Sequence, residues 1–205
     1  MLLFRILAVA CVWAAIPFAQ PIAPAATPGL APLRPAEKYE WQLKRAFRPV
    51  RWAGWAAGAG IAQWRDIPEE WEQGMSGLGK RYAAALAFTG TRNAMIATGN
   101  VLLQVEPRYQ RSLSASPKAR VGHAVKWTFL SHRDDGRALP ALPRFASAYG
   151  AAFTARAWLP PSRGGVDQAL TRGSVIIGLD VVNNLLAEFG PDLFRKLRKK
   201  KLDTD

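Results

Sequence analysis

The chain has 205 residues, with 28 Lys and Arg against 15 Asp and Glu, a formal net charge of +13, and 49% hydrophobic residues. That apolar share excludes a disordered polyelectrolyte, while the charge calls for an anionic partner. The only cysteine is Cys11, which excludes an intrachain disulfide.

Residues 1–25 are expected to form a secretory signal peptide. Arg5 is the basic start, and Ile6 to Ala19 is an uncharged, mostly apolar run, shorter than the ~20 residues a membrane-crossing helix needs. Ala23-Pro24-Ala25 supplies a small-residue cleavage pattern, with a cut after Ala19 as the alternative. Lipid attachment at Cys11 is disfavoured, because it would leave the apolar Val12–Phe18 on the mature chain. Export sets the positive charge opposite anionic lipid or an anionic wall polymer, and no nucleic acid is expected as partner. Residues 26–38, with Pro28, Pro32 and Pro35 among alanines, read as an extended linker.

The remaining stretch, residues 39–201, is long enough for one domain with its own core. Tyr39–Arg48 reads as a short helix, and Pro49 marks a new start. Arg51–Trp64 follows, where Gly54 and Gly58 lie one turn apart and allow close helix packing. Asp66-Ile67-Pro68-Glu69-Glu70 has the character of a helix start, and Gly74, Gly77 and Gly79 read as a turn. Tyr82–Val105 is the predicted central helix, with Asn100–Val105 alternatively a strand.

A further helix is expected over Ala119–His132, closed by the turn Asp134-Asp135-Gly136. Arg144–Trp158 is the next, kept slim by Ala148, Gly150, Ala151 and Ala152. In Val166–Phe189, Val175, Leu179, Val182, Leu186 and Phe189 form a stripe expected to face the core, with Asp180, Asn184 and Glu188 opposite. Gly190-Pro191 is expected to end that helix and Pro191–Lys201 to form a last short one. The fold class is therefore all-α: a single compact bundle of five or six small-residue-rich helices, built around Tyr82–Val105 and Val166–Phe189.

Catalytic signatures are sparse. His123 and His132, nine residues apart, would face opposite sides of one helix, and the metal-binding H-E-x-x-H and CxxC spacings are absent. Asp180 and Glu188 would lie about 12 Å apart along a helix, too far for a paired-carboxylate hydrolase. No serine sits in G-x-S-x-G, and no P-loop occurs. No cofactor is expected. An enzyme would have to bring Asp180, Glu188, Arg92 and His132 into one pocket.

Two basic segments carry more weight. Lys44, Arg45, Arg48 and Arg51 alternate with Trp41, Phe47 and Trp52, the chemistry of a membrane interface. Arg195, Lys196, Arg198, Lys199, Lys200 and Lys201 crowd the tail beside Leu193, Phe194 and Leu197, more charge than a helix end requires. These ten cations are the candidate anionic-surface-binding residues.

Trp71-Glu72-Gln73-Gly74, Gly77-Leu78-Gly79-Lys80-Arg81-Tyr82, Glu106-Pro107-Arg108-Tyr109 and Glu188-Phe189-Gly190-Pro191-Asp192 together resemble a group of uncharacterised exported bacterial proteins. The resemblance would cover most of residues 64–195 and implies no catalytic residue. The expectation is an exported envelope protein, located in the periplasm or at a membrane. It would be non-enzymatic, with basic edges that meet an anionic surface.

Overall fold

The computed structural model describes residues 31–202, and side chains for 31–49 and 51–195. The expected signal segment, 1–25, and residues 26–30 of the expected linker lie outside the described residues. Among the described residues six α-helices run in chain order: α1 Pro35–Ala46, α2 Pro49–Trp64, α3 Gly74–Leu102, α4 Pro117–Phe129, α5 Leu142–Thr154 and α6 Val166–Leu202. A two-stranded antiparallel ribbon, β1 Leu130–His132 and β2 Ala138–Pro140, joins α4 to α5. The all-α bundle is as expected.

Proline punctuates the chain at helix starts. Pro35, Pro49, Pro117 and Pro143 each sit in a first turn, where a missing N–H removes no bond and the fixed φ is already helical. Hence α1 begins at Pro35, inside the segment expected to be linker. The Asp134-Asp135-Gly136 turn closes the β ribbon instead of a helix, with Gly136 at φ +83°. Three residues of the expected Ala119–His132 helix are therefore strand. The alternative strand at Asn100–Val105 reduces to a single bridge between Val105 and Arg133.

Helix α3 packs against α1, α2 and α5, and α5 in turn against α6, which also packs on α4. Alanine makes this layering close. Ala148, Ala151 and Ala152 of α5 are fully buried, and Ala151 and Ala152 join Phe88, Ala155 and Ala169 in the apolar core. Trp158, Leu159 and Ile176 pack against that cluster. At Gly173 a Cβ would stand 2.3 Å from the Tyr149 ring, so no larger residue allows the α5–α6 approach. On α2, buried Trp55 lies edge-on to Tyr82 and Phe47.

Two expectations for α6 are overturned. The helix runs through Pro191 to Leu202. Arg120 braces it there, donating to the Glu188 main-chain carbonyl before the proline and at 2.7 Å to Asp192 after it. Its orientation also differs from the expected one: Val175, Leu179 and Phe189 of the stripe are only half-buried, and the polar line turns inward. Asp180, Asn184 and Glu188 are buried, whereas Val182 and Leu186 of the supposed core stripe are 39% and 36% exposed. Helix α4 follows the same pattern: Ala124 and Thr128 are fully buried, and Val121, Val125 and Phe129 are exposed.

Gly74, Gly77 and Gly79 form the first turns of α3, not a loop. The reason is Arg81. Its buried guanidinium donates to the carbonyls of Ile67, Pro68 and Glu72 at 2.8–2.9 Å and to Gln63 Oε1 at 2.7 Å, and it pairs with Asp66. The loop between α2 and α3 thus wraps one cation, satisfying backbone oxygens that would otherwise be buried unpaired. Gly77 makes room for it, since a Cβ there would lie 2.2 Å from the Glu72 carbonyl and 2.6 Å from the Arg81 guanidinium.

Gly77→Ala should therefore destabilise the fold by roughly 1–3 kcal/mol or more through overpacking. Gly79→Ala, with open space at its Cβ, should stabilise it by roughly 0.5–1 kcal/mol through helix propensity. Chemical denaturation of the two variants checks both signs, and equal effects would remove the steric argument.

Candidate functional site

A cavity of about 210 Å³ lies in the bundle, with residues of α1, α2, α3, β1, α5 and α6 in its wall. The wall carries six guanidinium groups, those of Arg45, Arg48, Arg51, Arg92, Arg108 and Arg144. Two carboxylates face them, and each is tied to one arginine. Asp180 accepts from Arg92 at 2.6 Å, and Glu106 from Arg108 at 2.6 Å. Arg45, Arg51 and Arg144 form no ion pair among the described residues. Arg45 stacks over the Trp41 ring at 5.2 Å.

Burial is the main influence on the titration of these groups, and neighbouring arginines add to it. Burial, then the neighbouring Arg51, pulls Arg45 down to about 10. Burial and then Arg92 lower Arg51, and burial lowers Arg144, with Asp180 opposing in both cases. Arg92 Nε is buried without a hydrogen-bond partner. The remainder of the wall mixes polar groups such as Gln42, Asn93 and Asn184 with aromatic and aliphatic ones, including Trp127, Ile96, Leu179 and Leu186.

Arg45, Arg48 and Arg51, expected on a surface, thus turn into the cavity. Lys44 is exposed and pairs with Glu40. Arg195 is exposed and pairs with Asp192 at 2.5 Å. The side chains of Lys196, Arg198, Lys199, Lys200 and Lys201 lie outside the described residues.

Of the four groups an enzyme would need, Asp180, Arg92 and His132 share the cavity wall, and Glu188 does not. His132 stacks on Trp127, ring centroids 3.4 Å apart, and His123 lies at 6.1 Å from the same indole. The two histidines therefore flank one ring instead of facing apart, because His132 leaves the helix for β1. Burial pushes both below the ordinary histidine value.

Glu188 is fully buried between α4 and α6. Its carboxylate accepts from Arg120 Nε at 2.8 Å, Tyr109 Oη at 2.9 Å and the Ser112 N–H at 3.1 Å. Asp192 accepts from Arg111 and Arg120, both at 2.7 Å. One turn back, the Asn184 amide donates to Thr128 Oγ1 at 2.9 Å. Burial would raise Glu188, but the three donors outweigh it and hold the carboxyl below its usual range. Asp192 is held down to about 2 by Arg195 and Arg120. With three of its roughly four acceptor sites filled and its charge paired to Arg120, the Glu188 carboxylate acts as a structural tie.

No protein family, curated protein or solved structure matches this chain.

Both carboxyls are lower in the folded state than in the unfolded one, so their stabilisation is present at neutral pH and is lost as pH falls through their folded-state values, about 2 for Asp192. Thermal unfolding should show this acid sensitivity. Glu188→Gln should remove part of it and lower stability at pH 7 by roughly 2–4 kcal/mol. A variant as stable as the parent would show that the α4–α6 tie is dispensable.

Proposed function

We propose that this chain is a non-enzymatic envelope domain that lies against an anionic lipid surface. The observation that carries the reading is on α6, which turns Asp180, Asn184 and Glu188 into the bundle and leaves Val182 and Leu186, with Leu170 and Leu193, exposed. In water that arrangement forfeits apolar burial. Against lipid it is the favoured one, since polar groups then find partners in the protein and apolar groups meet acyl chains. Val166–Arg195 is long and apolar enough to cross a membrane. Yet Asp180 and Glu188 are fixed to Arg92 and Arg120, so α6 is one wall of the bundle and offers lipid its outer face.

The basic tail extends the same helix, and each Lys or Arg near an anionic surface contributes about 1 kcal/mol within a Debye length of roughly 8–10 Å. The amino-terminal signal reading and the resemblance to exported bacterial proteins support an envelope location. A second reading, an envelope enzyme, has in its favour the shared position of Asp180, Arg92 and His132 on the cavity wall. Glu188, tied to Arg120, counts against its original form.

Flotation of the full chain with vesicles tests the proposal. Binding should require anionic lipid and fall at least about tenfold at low salt when Arg195, Lys196, Arg198, Lys199, Lys200 and Lys201 become Gln, with helical content kept. Val182→Asp with Leu186→Asp should weaken it at high salt as well. Unaltered binding in both variants would sink the reading.

A further inference from the structure

Arg92 is tied to Asp180, whereas Arg45, Arg51 and Arg144 of the same cavity form no ion pair among the described residues. Arg45, Arg51, Arg92 and Arg144 come from α1, α2, α3 and α5, so the fold itself carries like charges into one enclosure. There burial lowers Arg45, Arg51 and Arg144, and the neighbouring guanidinium groups add a smaller repulsion. For stability alone, apolar residues of similar size would serve better. The excess is relieved when an anion enters.

The kind of anion follows from the donors. Guanidinium forks match phosphate oxygens in pairs, and the two resident carboxylates are tied to Arg92 and Arg108, which leaves Arg45, Arg51 and Arg144 with no ion pair among the described residues. The remaining charge suits a group carrying more than one negative charge, which a phosphate monoester does near neutral pH and a phosphodiester does not. The unpartnered Arg92 Nε adds a buried donor with nothing to bind. Leu179 and Leu186 line the same wall, and Leu186 is also part of the exposed apolar face of α6. One molecule can therefore place a charged head among the arginines and an apolar body along α6.

We infer that the cavity binds a phosphate monoester, with its phosphate among Arg45, Arg51, Arg92 and Arg144. The phosphate site stands on the cavity alone. The further assignment of its source to a phosphatidate-type lipid rests on the membrane reading above.

Calorimetry on the full chain separates these parts, using three soluble probes: glycerol 3-phosphate, a short-chain lysophosphatidate below its micelle concentration, and the matching lysophosphatidylcholine. Lysophosphatidate should bind at least about tenfold more tightly than the choline diester. Arg45→Gln with Arg144→Gln should abolish that preference while the unliganded protein unfolds at the same or a higher temperature, an outcome a structural role for these arginines would not give. Arg51→Lys, which keeps the charge and loses the fork, should weaken binding by about tenfold with the fold intact. If the double variant fails to fold, Arg51→Lys decides alone. Glycerol 3-phosphate binding as tightly as lysophosphatidate would keep the phosphate site and overturn the lipid source. Absence of binding by both monoesters, or equal binding of the choline diester, would overturn the site. The tail variant should bind soluble lysophosphatidate like the parent, so loss of vesicle binding by that variant would reflect on the surface reading only.

Discussion

The structure depends on the polar ladder that ties α6 to its neighbours. Asp180 meets Arg92 of α3, Asn184 meets Thr128 of α4, and Glu188 meets Arg120 of α4. These groups are four residues apart and share one line on the helix. A buried ion is tolerable only when paired and fully hydrogen-bonded. Each rung therefore fixes the rotation of α6, and rotation away from its partners would strand several charges at once.

That constraint decides what the outside looks like. With the polar line turned inward, Val182 is left at the surface and Leu186 between surface and cavity, and Val121, Val125 and Phe129 on α4 are exposed in the same way. Small residues compensate within. The layers around α5 close on alanine, and large side chains such as Phe88 and Trp55 fill isolated places. The apolar surplus of the sequence is thus divided between a slim core and an exposed face.

The ladder and the cavity meet at Asp180, which partners Arg92 and also faces the arginine cluster. The carboxylate partly offsets burial for Arg51 and Arg144 as well. Removing water from guanidinium groups is unfavourable, and so is placing them side by side. A fold that keeps them there gives up stability at one place, and functional sites are where such local conflicts are expected.

Helical class, number of helices and most helix starts were legible in the sequence, because proline position and apolar period act locally. The basic stretch around Arg45, Arg48 and Arg51 stood out too, although as a surface. What the sequence could not decide was direction. An amphipathic period shows that α6 has two unlike faces, and the usual preference for burying the apolar one selects the wrong face here. The polar face can be buried only because Arg92, Thr128 and Arg120, at least 56 positions away along the chain, supply its partners. Likewise Pro191 stops no helix where Arg120 braces both sides of it, and the arginines of four separate helices form a site only once the bundle closes. Local spacing determined the elements; pairing between distant charges, which no local pattern encodes, decided which way they face.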